Sequence, residues 1–391
     1  MVEVCSHEPV IVGTGHTRFG RLSESLEEMI VSAGAEALKD AGIDGSMVDA
    51  VWLGNFNAGL VPDGFCSSMA IGIDEKLRFK PAIRCENACA SGAAAIYSAL
   101  DAVRSGRVRV ALVIGAEKMS GLDTAGVTKA LAAASYQREE AGASFPEIFA
   151  HYARAYRDRY GDPIPTMARI AVKNHQNALT NPLAQLHKPL DLDFCLSPSE
   201  RNPLVADPLK VTDCSLISDG AAAIVIARAD MADAFEYAVR FRAAEQVNDF
   251  LPLSRKDLVA FEGPRRAIAQ AYQSAGIGVD DLDFAEVHDC FTIAELLITE
   301  ALGLCSPGQA SQLLQDGETH REGRLPINVS GGLKAKGHPV GATGVSMHAI
   351  AARQLTGRAG ELQIDSPELG LCLNMGGGAV VTAVSVLERA K

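Results

Sequence analysis

The sequence predicts an α/β protein made of two related halves, with a separate segment inserted into the first. Three observations lead there. Short apolar runs of strand character alternate with longer helical runs along the chain, the pattern of mixed sheets covered by helices. A motif near the start returns at a constant offset of 234 residues: Ala41-Gly42-Ile43 with Val48-Asp49-Ala50-Val51, then Ala275-Gly276-Ile277 with Leu282-Asp283-Phe284-Ala285. The interval from Met119 to about Lys210 has no counterpart in the second half.

Taken in order, Ile30 to Asp40 reads as a helix stopped at Gly42, and Ala267 to Ser274 as its repeat stopped at Gly276. Glycine just past a last turn is the ordinary stop signal, because it adopts the left-handed conformation without penalty. Apolar runs follow, ending at Asn55 in the first copy and at His288 in the second. The helix after Cys89 closes on Arg104-Ser105-Gly106, and the helix after Gly344 closes on Leu355-Thr356-Gly357. Strand-like stretches come next, Val108 to Ile114 and Leu371 to Asn374, and Ser218 to Ile224 is echoed by Gly376 to Val381. A single Ala-Gly-Ile would be a common helix stop, but three echoes in one order argue for duplication. The expected units are residues 1–118 and 211–236 for the first half, 119–210 for the insertion and 237–391 for the second half. The insertion carries Arg138, Arg154, Arg157, Arg159, Lys173, His175 and Lys188, candidates for meeting phosphates.

Composition narrows the function. The 391 residues are 48% hydrophobic but only 5% aromatic, which suits closely packed helices over a buried sheet and disfavours a surface for stacking bases. A net charge of −12 argues against nucleic-acid or anionic-membrane partners. No apolar run reaches the roughly 18 residues of a membrane span. Met1 to Pro9 lacks the basic-then-apolar pattern of a signal peptide, and the end, Glu388-Arg389-Ala390-Lys391, is not a peroxisomal signal. Nine scattered cysteines do not form a disulfide framework, so a reducing, cytoplasmic setting is expected.

The chemistry gathers in three segments. Cys89 lies in Cys85-Glu86-Asn87-Ala88-Cys89-Ala90-Ser91-Gly92, where small residues allow a tight turn and a close substrate. A helix follows, and its positive end favours a thiolate, the nucleophilic form of cysteine. His338, in Gly337-His338-Pro339-Val340-Gly341-Ala342-Thr343-Gly344, is the candidate base that takes the thiol proton. His288-Asp289-Cys290-Phe291 offers a second imidazole and a second thiol. Cys85, without a second ligand pair, reads as packing rather than zinc. Cys372 lies two residues before Asn374, on the same face of a strand, and stays an alternative to Cys290. Asn328 to Gly332 is a candidate pocket floor, and His151 a candidate channel residue.

Together these segments resemble the thiolase superfamily over essentially the whole chain, the Gly-His-Pro run being the most specific part. The resemblance implies a duplicated thiolase fold, five-layered α-β-α-β-α, with an inserted loop domain over the active-site mouth. It implies coenzyme A and acyl-CoA as substrates, with no permanently bound cofactor and no metal. A homodimer or homotetramer is implied, paired through the edge of the first-half sheet, for which Val108 to Ile114 is the candidate; an auxiliary subunit is also compatible. The best-known members carry Asn-Glu-Ala-Phe and a C-terminal catalytic cysteine; here His288 to Phe291 replaces the former and Asn374 the latter. That combination resembles the sterol-carrier-protein-type and archaeal acetoacetyl-CoA thiolases, and places the acid/base thiol at Cys290. The implied roles are an acyl group on Cys89, enolate stabilisation by His288 and His338, and an oxyanion hole from the backbone N–H groups of Cys89 and Gly376. The expected reaction is formation or thiolytic cleavage of a 3-oxoacyl-CoA. The rivals are a thiolase-like aldol lyase and a non-catalytic scaffold subunit.

Overall fold

The first half begins β1 (Pro9–His16), α1 (Leu26–Asp40), β2 (Ala50–Gly54), β3 (Ala82–Cys85), α2 (Ser91–Arg104), β4 (Val110–Glu117) in a computed structural model that describes residues 7–391. Ser25 starts α1 with a capping box to Glu28, and Gly42 leaves it at a left-handed φ of 69°. The chain then leaves the sheet for α3 (Thr124–Ala132), α4 (Phe145–Tyr160), α5 (Ile164–Ala178), α6 (Leu192–Leu196) and the small hairpin β5 (Leu204–Ala206) and β6 (Leu209–Lys210). It returns as β7 (Gly220–Arg228). The second half runs β8 (Val239–Asn248), α7 (Glu262–Ala275), β9 (Phe284–Val287), α8 (Thr292–Ala301), α9 (Ala310–Gln315), α10 (Gly332–Ala335), α11 (Thr343–Leu355), β10 (Leu369–Gly376) and β11 (Val381–Arg389). As in the first half, the glycine that ends α7, Gly276, is left-handed, at a φ of 65°.

The strand order repeats. From the centre outward the first half reads β1-β7-β4-β2-β3 and the second β8-β11-β10-β9, followed by a bridge from Ala285 to Ile327 where β3 would lie. Pairing senses match as well: β7 is antiparallel to β1 and β4, and β11 to β8 and β10, while β2–β4 and β9–β10 are parallel. The halves join edge to edge where Val10 faces Arg240 and Ile11 faces Val239, giving one nine-stranded sheet.

Helices set the layers. On one outer side α1 packs on β1, β7 and β4, and on the other α7 packs on β8 and β11. Between the halves lie α2, against β2 and β4, and α11, against β10 as well as β7. Hydrogen bonds tie this middle layer to both halves of the sheet: His16 of β1 to Ser346 of α11 (2.7 Å), His348 of α11 to Ser385 of β11 (2.8 Å), and Tyr97 of α2 to the same Ser385 (2.9 Å). The order is therefore α-β-α-β-α. The two middle helices begin in backbone contact: a Cβ on Gly344 would sit 2.5 Å from the Ala93 nitrogen, and one on Gly92 2.9 Å from the Gly341 oxygen. Only glycine allows that approach.

One expectation is corrected. Val108 to Ile114 falls largely in β4, which lies between β2 and β7 and is buried throughout. The open edge is β3, where Ile83 is 43% exposed. The sequence order of strands does not disclose their spatial order, and here β2 and β3 both lie outside β4. The inserted segment rests on α8: Tyr156 donates to Glu300 (2.7 Å), and Lys173 pairs with Glu295 (2.9 Å) while donating to the Ile327 carbonyl (2.7 Å). Among the described residues, no helix is long and apolar enough to cross a membrane.

Candidate active site

Cys89 sits on a tight elbow between β3 and α2. Ala88 adopts a φ of 51°, unusual for a residue with a side chain. The Ser91 hydroxyl closes the turn by accepting from the Asn87 N–H (2.9 Å) and donating to the Ala88 carbonyl (2.6 Å). The small residues around Cys89 thus serve the backbone geometry. His338 occupies the matching place before α11. The Gly92–Gly344 contact brings the two helix starts, and with them thiol and imidazole, together. Cys89, His288 and His338 each present one donor atom, all within 4.8 Å of one another. The two rings meet edge-on, with centroids 5.1 Å apart.

The hydrogen bonds assign a proton to each ring. Thr343 donates its hydroxyl to the Pro339 carbonyl (3.0 Å), so it accepts from His338 Nδ1 (2.9 Å). His338 therefore holds its proton on Nδ1 and turns a bare Nε2 lone pair to the site. Asn374 Nδ2 lies 3.1 Å from the Cys89 carbonyl and 3.0 Å from His288 Nδ1. A carbonyl only accepts, so the amide nitrogen faces it, and the second N–H goes to Nδ1. His288 thus carries its proton on Nε2 and offers a donor. One ring is set to accept a proton and the other to stabilise an oxygen anion. A zinc ion on the same three side chains would need a bare nitrogen from both rings, which the Asn374 contact does not provide.

Burial dominates the electrostatics. It pushes the Cys89 thiol up to about 12, against the pull of the Gly377 N–H, and Glu117 adds to the rise. Burial, then Lys336, lowers His338 to about 3; burial, then His338, holds His288 well below the usual imidazole range. Cys290 is raised by burial and by the nearby Cys89. The thiolate expected from the helix start is thus not the resting state. The site holds neutral thiols and neutral imidazoles, because burial disfavours the charged form of each.

Cys290 follows β9 and lines the same cavity, of about 220 Å³, as Cys89, His288 and His338. Cys372 is fully buried in β10 and does not line it. Gly376 ends β10 with its backbone against the Asn87 carbonyl, and the N–H that reaches the Cys89 sulfur belongs to Gly377. Asn328 holds the end of β9 by accepting from the Val287 N–H (2.8 Å), so its loop supports the His288 strand rather than flooring the cavity. Of the basic residues in the insertion, Lys173 and His175 are buried and bonded inward, and Arg159 pairs with Asp257 (2.9 Å). His151 is exposed and bonds to Arg154, away from the cavity.

Several site residues escaped the sequence. Glu117, at the end of β4, is buried and takes four N–H bonds, from the Asn55 side chain and from the backbones of Phe56, Asn57 and Gly341 (2.9–3.1 Å). Burial raises its carboxyl to about 7. An acidic residue closing an uninterrupted apolar strand was the available signal. Ser218 accepts from the His338 backbone N–H (2.9 Å), and Asp289 accepts from the N–H groups of Leu333 (2.6 Å) and Lys334 (3.2 Å) that open α10. These contacts hold the two histidine loops.

Comparison with known proteins identifies the family. The family described as thiolase, N-terminal domain matches residues 9–230, and thiolase C-terminal domain-like matches residues 244–389. An acetyl-CoA acetyltransferase of Methanothermobacter thermautotrophicus is 38% identical over 97% of this chain and 99% of its own length. Human sterol carrier protein 2 is 32% identical over 96% of this chain and 71% of its own. Among solved structures, an Ltp2-ChsH2(DUF35) aldolase superposes with a TM-score of 0.84 at 23% identity, covering 99% of both chains. With both family domains matched in order along nearly the whole chain, this chain belongs to the thiolase family of acyltransferases.

Proposed function

We propose that the protein forms or thiolytically cleaves a 3-oxoacyl-CoA, with Cys89 as the acyl-carrying nucleophile. The observation that carries this is the opposite protonation of the two rings beside Cys89. His338 Nε2 accepts the thiol proton as the sulfur attacks an acyl-CoA. Backbone N–H groups of Cys89 and of the Gly376–Gly377 turn hold the tetrahedral oxyanion, and coenzyme A leaves with the proton of the Cys290 thiol, which becomes the thiolate. In the second half-reaction Cys290 removes the α proton of another acyl-CoA. His288 Nε2–H stabilises the enolate oxygen, and the carbanion attacks the Cys89 thioester, freeing the thiol. Cleavage runs the same steps in reverse. Coenzyme A is a substrate in this scheme, and no permanent cofactor or metal takes part.

The same reading divides the chain into 1–118 with 211–236, the insertion 119–210, and 237–391. It pairs subunits through the edge strand β3, where Ile83 presents apolar surface, into a homodimer or homotetramer. Working thiols require a reducing compartment, which supports a cytoplasmic setting and a role in lipid or fatty acid metabolism. The aldolase assembly among the structural neighbours motivates a second reading, a lyase acting with an auxiliary subunit. The presence of both thiols and both histidines favours acyl transfer. Incubation with acyl-CoA followed by intact-mass measurement tests the reading: one acyl adduct is expected, on Cys89, and absent in Cys89→Ala. An adduct that survives that substitution would overturn it.

A further inference from the structure

Resting on the thioester reading of Cys89, the structure points to the acyl group, and we propose that it is uncharged, apolar and of about six to eight carbons. Cys89 is packed against a small apolar cluster separate from the main core, built from Phe56, Leu60, Met119, Val127, Ala130 and Val340. One helix supplies a wall of the cavity: Thr124, Val127, Thr128 and Leu131 of α3 all line it, at the spacing that puts side chains on a single helical face. Phe145 and Phe149 close it from α4. Among the described residues no Asp, Glu, Lys or Arg lines it, so a carboxylate-bearing acyl group would be desolvated without a countercharge.

Size follows from the volume. The cavity of about 220 Å³ has room for roughly seven groups at about 30 Å³ each, the share of one water molecule. An acetyl group fills less than half of it. The opposite rim, at Val205 (46% exposed), opens to solvent and suits the arm that delivers the thioester. The acyl methylenes attached to Cys89 therefore run along α3. Each buried methylene contributes about fourfold to transition-state binding, so hexanoyl should exceed acetyl by on the order of a hundredfold in kcat/KM.

The test is acylation of the purified protein by acetyl-, butanoyl-, hexanoyl-, octanoyl-, dodecanoyl- and succinyl-CoA, with the Cys89 adduct timed by intact mass. The expected order rises from acetyl to hexanoyl or octanoyl, falls at dodecanoyl, and leaves succinyl near background. Leu131→Phe should lower the hexanoyl-to-acetyl ratio at least tenfold, and Leu131→Ala should move the optimum to longer chains. A purely structural defect would slow both acyl groups alike and leave that ratio fixed. Acetyl outpacing hexanoyl, or a ratio unmoved by both substitutions, overturns the proposal while the Cys89 reading stands. If no acyl-CoA labels Cys89, the Cys89 reading falls, and the acyl-length proposal with it.

Discussion

The two halves place their equivalent elements identically and use them differently. Each has a residue poised before its middle helix, Cys89 before α2 and His338 before α11. Each also ends two parallel strands beside that residue. In the first half those strand ends carry Asn55 and Glu117, whose hydrogen bonds hold neighbouring loops. In the second half they carry His288, followed by Cys290, and Asn374, which face or orient the reacting groups. Duplication supplied two equivalent pockets of strand ends. On the proposed mechanism, one serves as the scaffold for a nucleophile and the other supplies the proton carriers.

The largest expected effect comes from removing a proton carrier. Cys290→Ala should lose carbon–carbon bond formation by about 10²–10⁴-fold, the usual worth of a positioned acid/base, while Cys89 still takes an acyl group. Exchange of the α proton into deuterated water, followed by NMR, should disappear in parallel. Cys372→Ala should leave exchange intact, since that thiol is buried away from the cavity. The opposite pattern would move the second half's chemistry from the β9 end to β10.

A smaller effect is expected from the scaffold side. Glu117→Gln replaces an oxygen that accepts two N–H groups with an NH₂ that accepts none. The variant should lose about 1–3 kcal/mol of stability and roughly tenfold in acylation rate, because Glu117 holds Gly341 in the His338 loop. The shape of the pH–rate profile should not change. A limb near pH 7 that vanishes in Glu117→Gln would make the first half a chemical partner and dissolve the contrast.

Acidification tests the contrast without any substitution. His16, His175, His288, His338 and His348 are all held below the ordinary imidazole range, mainly by burial. Their folded values lie below the unfolded one, so below pH about 6.5 the unfolded chain binds more protons and stability falls. Each contributes up to about 1.4 kcal/mol per pH unit in that window. Three of the five lie in the second half. Thermal melts should drop steeply between pH 6.5 and 5, and hydrogen exchange at pH 5 should open the second half first. A flat melting temperature over that window would contradict the buried, neutral histidines.

Much of this was legible in the residues. The Gly42 and Gly276 stops and the offset of 234 located the repeat, because helix termination and strand hydrophobicity are local properties. Cys89 and His338 stood out because their flanking glycines and small residues mark tight turns, and His288 and Cys290 because the run His288 to Phe291 resembles one branch of the family. What stayed hidden depends on distance. That β4 is interior, that Lys173 and His175 point inward, and that burial suppresses the thiolate all follow from packing between segments far apart in sequence. The proton on His288 was equally out of reach, since it is fixed by Asn374, 86 residues away.

The contact between Gly92 and Gly344 also bears on how the protein is made. During synthesis Cys89 leaves the ribosome early, when the first half can already fold as a unit. At that stage its thiol has no base and no Asn374 against its carbonyl. His338 and then Asn374 emerge much later, Asn374 285 residues after Cys89, and α11 must seat on α2 before any of them meet. A nascent chain that lacks the second half therefore carries an unassisted cysteine, and the proposed reactivity toward thioesters arrives only with β10.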